Sequence, residues 1–244
     1  MRDLINMQGN IHSIESLSTV DGPGMRFVVF MQGCHLRCKF CHNPDTWTTM
    51  PNKLVEEEVI LSKIERSKDY LISSGGGVTF TGGEPLLQID FLLDICKKIK
   101  KLGIHIAIDT NGYFEITEKI EELMKYVDLV MLDIKHIDNK IHKDLTAVEN
   151  TKILKFAKYL DSINKNMWIR VVYMPGITDK ENSLIRLKKF IDSLKNVEKV
   201  EVLPYHEMGI YKWEEMKMNY PLKEQRVPTK EETKKVQEYL DVKK

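Results

Sequence analysis

No stretch of this 244-residue chain approaches the roughly 18 consecutive apolar residues that a membrane-spanning helix needs. The longest apolar runs, around 27–31 and 129–132, have the length of strands. The first ten residues carry polar side chains where an export signal needs its apolar segment. A cytoplasmic protein with no membrane partner is therefore expected. An excess of one charge is also lacking: 37 basic side chains face 36 acidic ones, for a formal charge of +1. That excludes a dedicated nucleic-acid binder, which would carry a basic surplus. The lysine-rich stretch at 97–101 reads as a solvated helix end, where cations offset the helix dipole. Low-complexity segments, internal repeats and interdomain linkers are absent as well. One domain over 1–244 is expected, with a core at 26–206, an N-terminal segment at 1–25 and a C-terminal loop and helix at 211–244.

From Arg26 onwards, short β-rich runs alternate with longer helical patterns. The strand candidates are 26–31, 78–81, 104–108, 129–132, 167–173 and 199–203, several of them apolar nearly throughout, as strands buried on both faces are. Helical patterns lie at 54–73, 88–101, 117–125, 151–160 and 184–194, with a terminal helix from about Thr229. The stretch after Tyr211 reads as a loop. Glycine-bearing turns separate these pieces at 73–77, 111–112 and 175–176. Such alternation predicts an α/β protein with a parallel sheet. Six βα units are too few to close an eight-fold barrel. A doubly wound open sheet and a partial barrel both stay open on this pattern.

Cysteine is scarce but not scattered. Of four in the chain, Cys34, Cys38 and Cys41 fall within eight positions, and Cys96 stands apart among Leu92, Leu93 and Ile95 as a core residue. A disulfide framework is not expected in a chain of this kind without an export signal. Three thiolates at Cx3Cx2C can converge on a metal centre, and soft ligands select zinc, copper(I) or an iron–sulfur cluster. Structural zinc closes with four ligands. A cluster held by only three cysteines keeps one iron open to another ligand. The positions i, i+4 and i+7 also share a helix face, so three inert buried cysteines are the alternative. Gly33 and Pro44 bracket the segment, and His35, Arg37, Lys39 and His42 interleave it, which makes a poor core helix.

Nearly every strand candidate runs into residues able to do chemistry. These are Gln32-Gly33-Cys34, Gly82-Gly83-Glu84-Pro85, Asp109-Thr110-Asn111-Gly112, Met131 with Asp133 and Lys135, Arg170, and Pro204-Tyr205-His206. Parallel α/β proteins build their sites at that end of the strands. Taken singly, each has a plainer reading: a tight turn at Gly82-Gly83 and at Asn111-Gly112, an ion pair between Asp133 and Lys135, a satisfied histidine at 206.

The segment from Gly33 to Asn43 resembles the cluster loop of radical S-adenosylmethionine enzymes, and Thr81-Gly82-Gly83-Glu84-Pro85 resembles their cofactor-amine motif. Ile11-His12-Ser13 and the stretch from Thr19 to Arg26 resemble the activases of glycyl-radical enzymes. Residues 130–135, 168–170 and 203–207 resemble the pyruvate formate-lyase type within that family. No cysteine lies between Asn43 and Thr81, where many other activases insert a ferredoxin-like segment. The resemblance implies a partial (β/α)6 barrel of the TIM type. It implies a [4Fe–4S] cluster on Cys34, Cys38 and Cys41, with S-adenosylmethionine chelating the fourth iron. Reductive cleavage of that cofactor, fed by flavodoxin or ferredoxin, would then take a hydrogen atom from a glycine Cα of the partner, pyruvate formate-lyase. The cofactor contacts it implies are Phe40, Cys41, His42, Gly82, Gly83, Glu84, Asp133, Ile134, Lys135, Arg170 and His206. Asp109, Thr110, Met131 and Asp133 would hold a monovalent cation, and Asp21 would grip the substrate peptide. A monomer is expected. The competing readings are an activase for another glycyl-radical enzyme, another radical enzyme, an iron–sulfur electron carrier and a zinc-stabilised binding module.

Overall fold

A computed structural model describes residues 7–242, so the first six residues of the segment read for an export signal lie outside it. The chain divides into two compact units, one of residues 7–34, Thr48–Thr110 and Ile116–Val130, the other of His35–Trp47, Asn111–Glu115 and Met131 onwards.

The first unit contains β1 (Gln8–Ser18), β2 (Arg26–Met31), β3 (Leu54–Glu56), α1 (Glu57–Ser73), β4 (Gly77–Gly82), α2 (Ile89–Lys101), β5 (His105–Thr110), α3 (Glu118–Met124) and the start of β6 (Leu129–Asp133). Strands β2, β4 and β5 are parallel, with Arg26 opposite Gly77 and Gly77 opposite His105. Phe27, Val28, Val29, Val78 and Phe80 are almost wholly buried, which accounts for the unbroken apolar runs. Helix α2 offers Leu92, Ile95, Cys96 and Ile99 at helical spacing, all fully buried. Its lysine-rich end behaves as a solvated C-terminus, with Lys100 paired to Asp128 and Lys98 to Asp94 and Glu57.

The second unit contains the end of β6, then α4 (Asn139–Thr146), α5 (Thr151–Ser162), β7 (Met167–Tyr173), α6 (Glu181–Asp192), β8 (Val197–Pro204), α7 (Ile210–Glu215) and α8 (Lys230–Leu240). Strands β7 and β8 run parallel, with Arg170 opposite Glu201. Helix α8 starts on a capping box between Thr229 and Glu232. The Gln237 side chain accepts from the Val202 amide at 2.9 Å and donates to the Val200 carbonyl at 2.9 Å, so this helix covers backbone groups along β8.

Strand order is β3-β1-β2-β4-β5-β6-β7-β8, an open and mostly parallel sheet of the α/β class. Parts of the expected pattern change. The helix expected over 54–73 begins at Glu57, because Leu54–Glu56 pairs antiparallel with β1. Strand β1 itself, antiparallel to β2, is mixed in polarity and largely exposed, so it lacks the apolar alternation that announces a strand. The loop expected after Tyr211 is a short helix through Glu215, held by the buried Trp213. Among the described residues, no helix is long and apolar enough to cross a membrane.

Candidate functional site

Residues 33–43 contain neither helix nor strand, so the three clustered cysteines do not form a helical stripe. A turn closes between them where the Cys41 amide donates to the Cys38 carbonyl at 3.0 Å. Cys38 is buried, Cys34 and Cys41 are half-buried, and no described cysteine is in a disulfide. Burial pushes the Cys41 thiol above its usual range, while the nearby Lys135 ammonium pulls the other way. Among the described residues, no three His, Cys, Asp or Glu side chains surround a single ion position. An iron–sulfur cluster distributes its thiolates over separate irons, so its ligands do not have to meet at one point.

In the first unit, the carboxyl ends of β4 and β5 gather the other predicted residues around Glu84. The Gly83 amide donates to the Met31 carbonyl at 2.9 Å, and the Glu84 amide to the Gly33 carbonyl at 2.7 Å. The residue preceding Cys34 is thereby tied to the Gly-Gly-Glu turn. Gly82 has a φ of +107°, and a Cβ there would stand 2.5 Å from the Met31 nitrogen, so glycine is required. Glu84 is fully buried; its Oε1 accepts from the Leu86 amide at 3.0 Å and from the Thr110 hydroxyl at 2.7 Å. Thr81 donates to Asp109 Oδ2 at 2.8 Å. The Glu84 carboxylate thus both caps the turn that follows it and accepts from the end of β5.

Asp21 is not among these groups. It lies in the turn before β2, at the amino ends of the same strands, where Ser18 donates to its Oδ2 at 2.5 Å and Thr79 to its carbonyl at 2.7 Å.

In the second unit, His42 and His206 stack with ring centroids 3.9 Å apart. His42 Nε2 donates to the His206 carbonyl at 3.2 Å, which fixes the tautomer. Burial and the adjacent His206 lower the His42 pKa to about 4, so the stacked ring is neutral at pH 7. His206 Nδ1 is buried without a hydrogen-bond partner. Lys135 pairs with Asp133 at 2.7 Å and stands 5.7 Å from the centre of the buried Phe40 ring. Met131 and Asp133 lie two apart on β6 and share a face. The Ile134 amide donates to the Arg170 carbonyl at 2.9 Å, and Arg170 Nε donates to Glu201 at 2.9 Å.

Three residues that sequence reasoning missed stand out. Glu201 orients Arg170 from the neighbouring strand, and its only signal was a carboxylate between Val200 and Val202. Trp213 and Lys212 both bond to the cysteine loop, Trp213 Nε1 donating to the Cys41 carbonyl at 2.9 Å. Neither carries a pattern readable without the fold.

Three cysteines outside any disulfide on an irregular loop, with a buried carboxylate in the first unit and an imidazole nitrogen lacking a hydrogen-bond partner in the second, are the donor types that a thiolate-bound cluster and an amino-acid-bearing cofactor use. Comparison with known proteins agrees. Residues 28–187 match the family model of the Radical SAM superfamily. A pyruvate formate-lyase-activating enzyme of Staphylococcus epidermidis is 46% identical over 241 residues, covering 96% of each chain. A solved domain of such an enzyme from Bacteroides vulgatus is 30% identical, with a TM-score of 0.57, covering 68% of this chain and 92% of that one. Streptococcus suis SuiB bound to S-adenosylmethionine shares the fold at a TM-score of 0.64 and 23% identity, over 90% of this chain and 47% of that one. This chain belongs to the radical SAM superfamily, with its partial-barrel fold, and within it to the pyruvate formate-lyase-activating enzymes.

Proposed function

We propose that this enzyme activates pyruvate formate-lyase by placing a radical on a glycine of that partner. The observation that carries the proposal is the irregular loop bearing Cys34, Cys38 and Cys41, tied through Gly33 to the buried Glu84. The family works with a [4Fe–4S] cluster and S-adenosylmethionine. When bound, these supply one-electron reductive cleavage and removal of a hydrogen atom from a glycine Cα.

The chain's own residues divide the remaining work. The three thiolates hold the cluster and keep one iron for the cofactor. Gly82, Gly83 and Glu84 receive the cofactor's ammonium group, the glycines by letting backbone approach closely and Glu84 by its charge. Phe40 and the neutral His42 ring give the adenine an apolar, stackable surface. Asp133, Ile134, Lys135, Arg170 and His206 hold the rest of the cofactor, His206 through its unpartnered Nδ1. Asp109, Thr110, Met131 and Asp133 supply oxygen and sulfur donors for a monovalent cation, which offsets the repulsion between the two carboxylates. Asp21, at the amino ends of the strands, contacts the partner's peptide away from its reacting glycine. The enzyme works as a single domain and a monomer in the cytoplasm, with flavodoxin or ferredoxin as reductant.

Anaerobic reconstitution followed by electron paramagnetic resonance, with and without S-adenosylmethionine, tests the first half. A reduced-cluster signal that changes on adding the cofactor is expected. The second half is tested by mixing the reduced enzyme with pyruvate formate-lyase and looking for a glycyl radical. A cofactor-responsive cluster that leaves pyruvate formate-lyase silent would redirect the search to another glycyl-radical partner, and a cluster indifferent to the cofactor would overturn the radical reading.

A further inference from the structure

The end of the cysteine loop is gripped from far along the chain. Within residues 41–47, Thr46 donates to the Asn43 carbonyl through its amide at 3.0 Å and its hydroxyl at 2.7 Å, the Trp47 amide donates to the Pro44 carbonyl at 3.1 Å, and the Cys41 thiol is hydrogen-bonded by the Asn43 backbone and the Trp47 side chain. A second set of directional contacts arrives from 206–213. Trp213, only 3% exposed, donates its indole N–H to the Cys41 carbonyl at 2.9 Å. Lys212 donates to Asn43 Oδ1 at 2.9 Å and to both oxygens of Asp45, at 2.9 and 3.2 Å. At Gly209 a Cβ would fall 2.6 Å from the His42 Cα, so the two backbones touch. Trp47 and Tyr220 pack edge-on against the Trp213 ring at 5.2 and 5.3 Å and hold it in one orientation.

Simple core packing would have been satisfied by an apolar ring in place of Trp213 and by any solvated residue in place of Lys212. Instead, the indole gives its one donor to the carbonyl of a cysteine, and the ammonium meets two polar positions of the same loop, Asn43 and Asp45. A buried indole N–H and a three-point ammonium contact are directional, and they fix backbone rather than fill space.

We propose that α7 and the turn before it form a clasp on the cysteine loop. In this clasp Trp213 and Lys212 are positioning residues that set the backbone of Cys41–Asp45 and so the direction in which the third thiol is presented. The inference rests on Cys41 being a cluster ligand. It goes further by assigning control of that ligand to a segment some 170 residues away, the separation between Cys41 and Trp213 being 172. With the clasp closed, the thiol samples few orientations and the loop resists opening. With it broken, the Cys41 end loosens while Cys34 and Cys38 stay as they are.

The test uses two variants of the full chain, Trp213→Phe, which keeps the ring and removes the donor, and Lys212→Met, which keeps the stem and removes the charge. In each, the rate of iodoacetamide capture at Cys34, Cys38 and Cys41 is read by peptide mass spectrometry before reconstitution. The rate of iron loss to a chelator is read after it. The expected result is a selective rise at Cys41 of about five-fold, the factor that one ordinary hydrogen bond is worth, and faster iron loss. Equal acceleration at all three thiols would mean general loosening and would overturn the clasp, as would rates unchanged in both variants. Should Trp213→Phe fail to fold, the Lys212→Met variant gives the same reading. Cys41→Ala separates the two layers. Full iron content in that variant would sink the ligand assignment itself, whereas lost iron with unaltered capture in the clasp variants would sink the clasp alone.

Discussion

The fully buried guanidinium of Arg26 donates through Nε to the hydroxyl of Thr79 at 2.8 Å, and that hydroxyl donates onward to the Asp21 carbonyl at 2.7 Å. Burial lowers the Arg26 pKa to about 10, with Asp128 and Asp21 opposing, so it stays charged at pH 7. Arg26 also bonds to the Val78 carbonyl at 2.6 Å, leaving Thr79 little freedom. The relay pins the turn that carries Asp21. Thr79→Val, which is isosteric but mute, is expected to raise the KM for pyruvate formate-lyase about two- to ten-fold, as the loss of one such bond would. Cleavage of S-adenosylmethionine without the partner should proceed at the parent rate. A fall in that uncoupled rate with an unchanged KM would show that Thr79 serves the cofactor instead.

Replacing any one of Cys34, Cys38 or Cys41 with alanine should abolish cluster assembly, measured as bound iron and as the visible chromophore. Cys96→Ala should keep its iron. That thiol is fully buried in α2 and its pKa is pushed far up by burial, so it behaves as a small apolar group. The variant should lose only about 1–2 kcal/mol in urea unfolding, from the small cavity it leaves.

Thr110→Val removes a donor to Glu84 Oε1 while keeping the volume of the side chain. A buried carboxylate that loses a donor is worse solvated and less exactingly aimed. Equilibrium binding should show weaker affinity for S-adenosylmethionine in the reconstituted variant, and stability should drop by about 1 kcal/mol. Unchanged affinity would mean that Glu84 is positioned by its helix cap alone.

Acid should weaken the fold through its buried imidazoles. His142 donates from Nδ1 to the Val148 carbonyl at 2.9 Å, and its Nε2 is buried without a partner. Burial holds its pKa below the usual histidine value, with Lys135 and His136 adding to the effect. The unfolded chain therefore takes up the proton first as pH falls. The stabilisation is complete above about pH 6.5 and is lost progressively below it. Urea midpoints should fall between about pH 7.5 and pH 5.5 in the parent, and by less in His142→Gln. Equal slopes in the two proteins would assign the effect to His42, His105, His136 and His206, which are shifted the same way.

Much of this was legible in the residues. Strands β2 and β7 were bounded to the residue, because both are runs of apolar residues buried on each side. The strand-end residues Glu84, Asp109 and Thr110 were named from their place after such runs, and the first unit bonds Thr110 to Glu84 and Asp109 to Thr81. What stayed hidden depends on pairings that no local pattern encodes. Strand β1 is defined by its two neighbours rather than by its own polarity. Glu201 matters because the register sets it opposite Arg170. Trp213 lies in a stretch read only as a loop, and the fold alone brings it to Cys41.

The amide of Gln237 has a meaning for solubility. Strand β8 ends the sheet, and a terminal strand with bare backbone groups is a template on which a second chain can grow. Gln237 occupies the Val202 N–H and the Val200 C=O with one side chain that mimics a peptide unit, and α8 keeps it there. The last helix thus acts as a chain terminator for sheet growth. Deleting it should produce polymers before it produces an unfolded monomer.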